Sequence, residues 1–291
     1  MNLEELSWND DLKKIFLGER YDRQAIKNIL MVKASVRRKG QGVDYATESA
    51  SREEFENYQV VQDVFKKLFG LSGHLDTDVM NSFWTTYKCL LQLNYPNVFT
   101  PEGSTRADNF EPLRKHQGPL RAEIGYPPFD SPDYLEIDPK YLTYFRENYP
   151  QFILTERMIW PEFLMQNFNQ FERVHGNIEL MRFARLTHTI GNIVVVPKGF
   201  NSCRGGGDYW DLGLNELKLF LTTCGVWDAF LEKHYLRDYV DDDDQVKTFW
   251  QQHLTERKLP QTAAEIEQFL VNINYAIEHR GRDILAALRR Q

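Results

Sequence analysis

Residues 262–281 read TAAEIEQFLVNINYAIEHRG, and this stretch decides the fold. Thr262 followed three residues later by Glu265 is a capping box, in which each side chain can satisfy a backbone N–H that the first helical turn leaves unpaired. Behind it Ile266, Phe269, Leu270, Ile273 and Ile277 recur every three or four residues, so they fall on one face of a helix. Gly281 is the expected stop. A helix this long with one apolar face must lie against other helices, and it predicts a mainly α protein.

The rest of the chain agrees. Ser51 with Glu54 forms a second capping box, and Phe55, Tyr58, Val61, Phe65 and Leu68 repeat at helical spacing before Gly70. A helix around 76–93 would bury Val79, Phe83 and Leu90. Eight of the 12 prolines fall between Tyr95 and Pro139, which predicts an irregular segment because proline lacks an N–H and fixes φ. Its Arg106, Arg114, Lys115, His116 and Arg121 suit either an anion-contacting arm or a surface linker. Helices resume with first-turn prolines at Pro139 and Pro161. The expected organisation is a helical region over 1–94, a proline-rich segment over 95–139 and a helical region over 140–291, together one compact unit. The fold class is mainly α (α+β).

One β element interrupts this pattern. Ile190 and Ile193 to Val196 form a β-branched run that ends at Pro197, after a Gly191–Asn192 turn. A strand so apolar is expected to be covered on both faces, and residues 151–158 are a candidate partner for it. Beyond it the chain reads KGFNSCRGGGDYWDLGLN, residues 198–215. Lys198, Asn201, Arg204, Gly205, Gly206, Gly207, Asp208 and Asp211 are polar or flexible and lead into the helical stripe Leu214, Leu217 and Leu221. A strand, a glycine-rich bend and a helix start leave backbone N–H groups free to hold an anion. Neither GxxxxGK[ST] nor GxGxxG is present, and Asp208 or Asp211 would also serve as an ordinary N-cap.

Totals narrow the function. The chain has 291 residues, 42% of them hydrophobic and 13% aromatic, enough for a sizeable core. No apolar run approaches the roughly 20 residues that span a bilayer. The opening MNLEELSWNDD is acidic where a secretory signal would be basic, so a cytoplasmic location is expected. Cys89, Cys203 and Cys224 are too few and too scattered for a disulfide framework or a four-cysteine zinc site. The net charge of −7 argues against a surface coated with nucleic acid. Charge is unevenly spread: residues 157–204 carry six bases against three acids, and 205–244 ten acids against three bases. The acidic face suits a protein partner.

The pattern I-G-N-I-V-V-V-P-x-x-x-N-S-x-R-G over residues 190–205 resembles the second half of the HNH, or ββα-metal, nuclease signature. The resemblance covers about 50 residues. It implies a phosphate- or nucleic-acid-contacting site using Mg or Mn, with Asn201 and Asp208 or Asp211 orienting metal or water and Arg204 holding phosphate. The first half of that signature ends in a catalytic histidine shortly before a proline. Here ERMIWP, residues 156–161, carries Met158 instead, and methionine cannot activate water. His188 or His175 would have to substitute. His188 is the preferred base, lying between the strand and the helix that bears Arg182 and Arg185.

FNSCRGGGDYWDLGLNELKLFL together with the later HRGRDI also resembles a bacterial and phage-associated domain family of unknown function. Asn201, Arg204, Gly205, Asp211 and Leu212 are the corresponding positions, with Arg280 and Arg282 as additions from the C-terminal part. Arg182 and His188 resemble the R-x(4–6)-H pair of HEPN ribonucleases. These likenesses imply phage defence or toxicity. The alternative is a noncatalytic interaction module in which the Arg-Gly segment is an internal buttress. For His74, His116, His234, His253 and His279 the sequence predicts surface or hydrogen-bonded roles, and for Asp241–Asp244 a solvated turn.

Overall fold

The computed structural model describes residues 10–18, 21–38, 60–70, 74–76, 83–99, 146–153, 155, 160–200, 213–247 and 262–290. Its helices, in chain order, are α1 (Asp10–Leu17), α2 (Arg23–Arg38), α3 (residues 60–69), α4 (Phe83–Asn94), α5 (Pro96–Phe99), α6 (Trp160–Gln166), α7 (Glu172–His175), α8 (Ile178–Leu186), α9 (Gly213–Thr223), α10 (Trp227–Lys233) and α11 (Ala263–Arg289). The protein is mainly helical with one small β element.

The capping box of α11 forms as its residue types require. Thr262 Oγ1 accepts from the Glu265 N–H at 3.2 Å, and Glu265 Oε2 accepts from the Thr262 N–H at 2.9 Å. Ile266, Phe269, Leu270, Ile273 and Ile277 are all buried. The helix does not stop at Gly281, however; it continues to Arg289 and buries Ile284 and Leu288 as well. Gly281 is there for close approach, since a Cβ at this position would meet the Phe16 carbonyl oxygen at 2.6 Å. A mid-helix glycine costs roughly 0.5–1 kcal/mol relative to alanine, less than forcing two backbones apart.

Among the described residues two apolar clusters form the core. The larger joins α2, α4, α8 and α11 through Ile26, Leu30, Tyr87, Phe183 and Phe269, the last two meeting edge to face at 6.3 Å. The smaller joins α1, α3 and the end of α11 through Phe16, Phe65, Ile284 and Leu288. The strand β2 (Val194–Val196) runs between them. Val194 and Val196 belong to the larger cluster, Ile193 and Val195 to the smaller, so the alternation of a strand fills two cores at once. It is covered on both faces, as its composition predicts.

The partner of β2 is β1 (His74–Asp76), antiparallel, with His74 opposite Val196, Leu75 opposite Val195 and Asp76 opposite Val194. The expected partner at 151–158 is not one where it is described. Residues 151–153 form a turn, and the Asn167 side chain takes the backbone groups that a neighbouring strand would have used. Its Oδ1 accepts from the Ile153 N–H at 2.6 Å and its Nδ2 donates to the Ile153 carbonyl at 2.8 Å.

Of the proline-rich segment only residues 95–99 are described, and they include the short helix α5 with Pro96 as its first residue. Ser51, Glu54, Phe55, Tyr58, Val79 and Pro139 lie outside the described residues. Cys89 is buried and Cys224 exposed, both as free thiols. No helix among the described residues is long and apolar enough to cross a membrane.

Candidate functional site

The two ends of β2 differ in kind. At its entrance the chain makes a short 3-10 turn, Ile190–Asn192, buried throughout. Gly191 has no room for a side chain: a Cβ there would lie 2.0 Å from the Ile277 carbonyl oxygen on α11. Local hydrogen bonds tie the approach. Thr187 Oγ1 donates to Phe183 O at 2.8 Å, Thr189 Oγ1 to Leu186 O at 2.8 Å and Asn192 Nδ2 to Thr187 O at 3.1 Å. His188 lies within this tied segment and is half-buried.

Arg280 locks the turn from the side of α11. Its Nη1 donates to the carbonyls of Ile190, Gly191 and Ile193 at 3.0, 2.7 and 2.8 Å, and its Nε to the His234 carbonyl at 2.9 Å. The guanidinium is fully buried and has no carboxylate among these bonds. Burial holds its pKa down to about 10, because the charged form loses water. Position 280 continues the apolar stripe of Ile273 and Ile277, so a charge on the buried face of α11 was the available signal for it. Arg280, which the resemblance adds to Asn201, Arg204, Gly205, Asp211 and Leu212, acts as an internal buttress.

At its exit β2 reaches the surface. Pro197 is half-buried, Lys198 and Gly199 are exposed, and Gly199 adopts φ +92, a region that L side chains rarely enter. Phe200 turns back into the core against Phe220 of α9, 5.6 Å between rings. Asn201, Arg204, Gly205, Gly206, Gly207, Asp208, Asp211 and Leu212 lie outside the described residues, as does Met158. Of His188, Asn201, Arg204 and Asp211, the predicted catalytic residues, His188 alone is described. The α9 helix resumes with Leu214, Leu217 and Leu221 buried, as their spacing predicts.

The opposite side of α11 carries a second polar cluster. Arg182 on α8 holds Glu278 in a two-pronged ion pair, Nε to Oε1 at 2.9 Å and Nη2 to Oε2 at 2.7 Å. Tyr21 donates to Glu278 Oε1 at 2.7 Å, and Asn274 Nδ2 donates to Glu179 Oε2 at 2.8 Å. Burial alone would raise the Glu278 carboxyl, but the hydrogen bonds from Arg182 and Tyr21 outweigh it and leave the pKa lowered. Burial and the Glu278 carboxylate push Tyr21 up to about 12. Arg182 is thus committed to Glu278, which leaves little of it for the HEPN-like pairing with His188.

The histidines divide sharply. His175 is buried on α7, with Nδ1 2.7 Å from Phe168 O and Nε2 2.6 Å from Tyr87 Oη. The carbonyl can only accept, so Nδ1 carries the proton and Nε2 accepts from the tyrosine. Burial holds its pKa down to about 4, and it is a core residue rather than a substitute base. His279 pairs with Asp238 and lies over Tyr275. His234 departs from expectation: it is buried between Phe230 and Phe69, at ring distances of 3.9 and 4.8 Å, and neither ring nitrogen has a hydrogen-bond partner. Burial, with the nearby Arg280 charge, lowers it to about 3.

The Asp241–Asp244 turn is solvated, as expected, with Asp241, Asp242 and Asp243 exposed. Asp241 Oδ1 accepts from the N–H groups of Asp243 at 3.0 Å and Gln245 at 2.7 Å, and a bridge pairs Val240 with Val246. Among the described residues no group of three His, Cys, Asp or Glu side chains could hold a metal ion. Comparison of the chain with protein-family models, curated proteins and solved structures finds no match.

Proposed function

We propose that the exit of β2 contacts a phosphate-containing ligand, with nucleic acid as the ligand and a degenerate HNH-like nuclease, in phage defence or toxicity, as the biological setting. The observation that carries this reading is the register of the two strands. His74 stands opposite Val196, the last residue of β2 before Pro197 and Lys198. A histidine from elsewhere in the chain is thereby beside the nuclease-like pattern that Met158 leaves without a base. Its residue type suits the task, because imidazole is the side chain that most readily exchanges protons with water near neutral pH.

In this reading Lys198 and Arg204 hold phosphate, and Asn201, Asp208 and Asp211 orient water. These oxygen donors fit hard ions such as Mg or Mn, which would neutralise developing charge on phosphate when bound. Gly205, Gly206 and Gly207 would offer backbone N–H groups to an anion.

The test is cleavage of single- and double-stranded DNA and RNA with Mg or Mn by the parent protein and by His74→Ala, His188→Ala and Arg204→Ala. Loss of cleavage in His74→Ala and Arg204→Ala, with folding retained by circular dichroism, is the expected result. Cleavage that survives both substitutions overturns the reading. A second reading, a noncatalytic module docking a basic protein partner, draws on the exposed carboxylates of Asp241, Asp242 and Asp243. It predicts no cleavage by any variant and salt-sensitive partner binding.

A further inference from the structure

We infer that Arg280 and His234 form an internal binding site for a small monovalent anion of the chloride type, independent of any ligand at the exit of β2. Both side chains are at least nine-tenths buried, His234 at 1% exposure and Arg280 at 0%. They are neighbours, since Arg280 Nε donates to the His234 carbonyl at 2.9 Å. Three nitrogens here lack a hydrogen-bond partner: Arg280 Nη2 and both ring nitrogens of His234.

A buried cation needs compensation, and carbonyl dipoles supply only part of it. The four carbonyl bonds of Arg280 all use Nε and Nη1, which leaves Nη2 with its N–H groups and its share of the charge. Neutral His234 carries one further N–H donor. A guanidinium edge and a neutral imidazole N–H are together a donor set for an anion and offer little to a metal cation. The surroundings select for size. Phe65, Phe69 and Phe230 flank the imidazole at 6.4, 4.8 and 3.9 Å between rings, so a compact, weakly hydrated ion is favoured over phosphate or a carboxylate-bearing metabolite.

The site would act on the fold through the Ile190–Ile193 turn, which Arg280 holds. Its occupancy is therefore read as stability. The melting temperature of the full chain is measured as sodium gluconate is replaced by sodium chloride at constant ionic strength. The expected result is a saturable rise of about 2–4 °C. That rise disappears in Arg280→Met, weakens in His234→Phe and persists in Arg282→Gln, the exposed neighbour on the same helix. A melting temperature indifferent to chloride in the parent protein, or a rise that survives in Arg280→Met, overturns the inference. Should Arg280→Met fail to fold, chloride-35 NMR of the parent protein decides: excess line broadening that bromide displaces supports the site, and its absence removes it.

Discussion

Glu278 and Arg280 stand two residues apart on α11 and carry charge into the protein by opposite means. Glu278 faces α8 at the edge of the core, where Arg182 and Tyr21 meet it with full hydrogen bonds. Arg280 faces the turn before β2 and meets only carbonyl dipoles. The first arrangement is a closed ion pair, whose worth is limited by its partial exposure. The second is a scaffold that the carbonyl groups of Ile190, Gly191 and Ile193 depend on, so more structure fails when it is removed.

That contrast orders the expected effects. The largest belongs to the backbone contact beside Arg280. Gly191→Ala would drive a Cβ into the Ile277 carbonyl, and we expect a cost above about 3 kcal/mol or loss of folding in denaturant titrations. A change under 1 kcal/mol would mean that the turn can retreat from α11. Arg280→Met should follow at about 3–5 kcal/mol, because it strands buried carbonyls. On the other side, Arg182→Met should cost about 1–2 kcal/mol, with part recovered in the Arg182→Met, Glu278→Met double variant. An Arg182→Met loss equal to that of Arg280→Met would erase the distinction.

Acid sharpens the comparison further. His175 and His234 are held below the ordinary 6.5, at about 4 and about 3, mainly by burial. The unfolded chain therefore binds more protons than the folded one below pH 6.5. Stability is complete above that value and falls as pH drops from 6.5, down to about 4 for His175 and about 3 for His234, by up to roughly 1.4 kcal/mol per pH unit for each histidine, levelling off below. His234→Phe should flatten the slope of melting temperature against pH. An unaltered slope in that variant would show that His234 does not titrate as its surroundings imply. The smallest effect is Tyr21→Phe, about 1 kcal/mol for one hydrogen bond to a carboxylate that keeps its arginine.

The sequence was legible where the physics is local. The capping box and stripe of α11 lie within 20 consecutive residues, and Val194–Val196 declares its burial by composition alone. Pairing was hidden because β1 is three residues, His-Leu-Asp, with no alternation to mark it, and register between distant segments is set by the two cores they share. Gly281 misled for a related reason. A glycine after an apolar stripe resembles a stop, and only the approach of α1 reveals that it is a contact. Arg280 was visible as a residue but not as a buttress, since the carbonyls it binds belong to a turn far away in the chain. The buttress that the sequence suggested for Arg204 is realised at Arg280; the residues from Asn201 to Leu212 lie outside the described structure.

One contact also bears on when the protein can become whole. A Cβ at Gly281 would strike the Phe16 carbonyl and also lie 3.8 Å from Gly191 Cα. Residues 16, 191 and 281 thus converge on a single point, and none of the three pairings is local. Loop closure over such separations is slow, so this junction should assemble late in folding and after its surrounding helices. During synthesis the strand and its turn emerge well before the helix that clamps them. A nascent chain stopped short of α11 would keep the apolar run Ile193–Val196 without its wedge, exposed to misassociation. The exit of β2, and any activity seated there, would switch on only when α11 arrives.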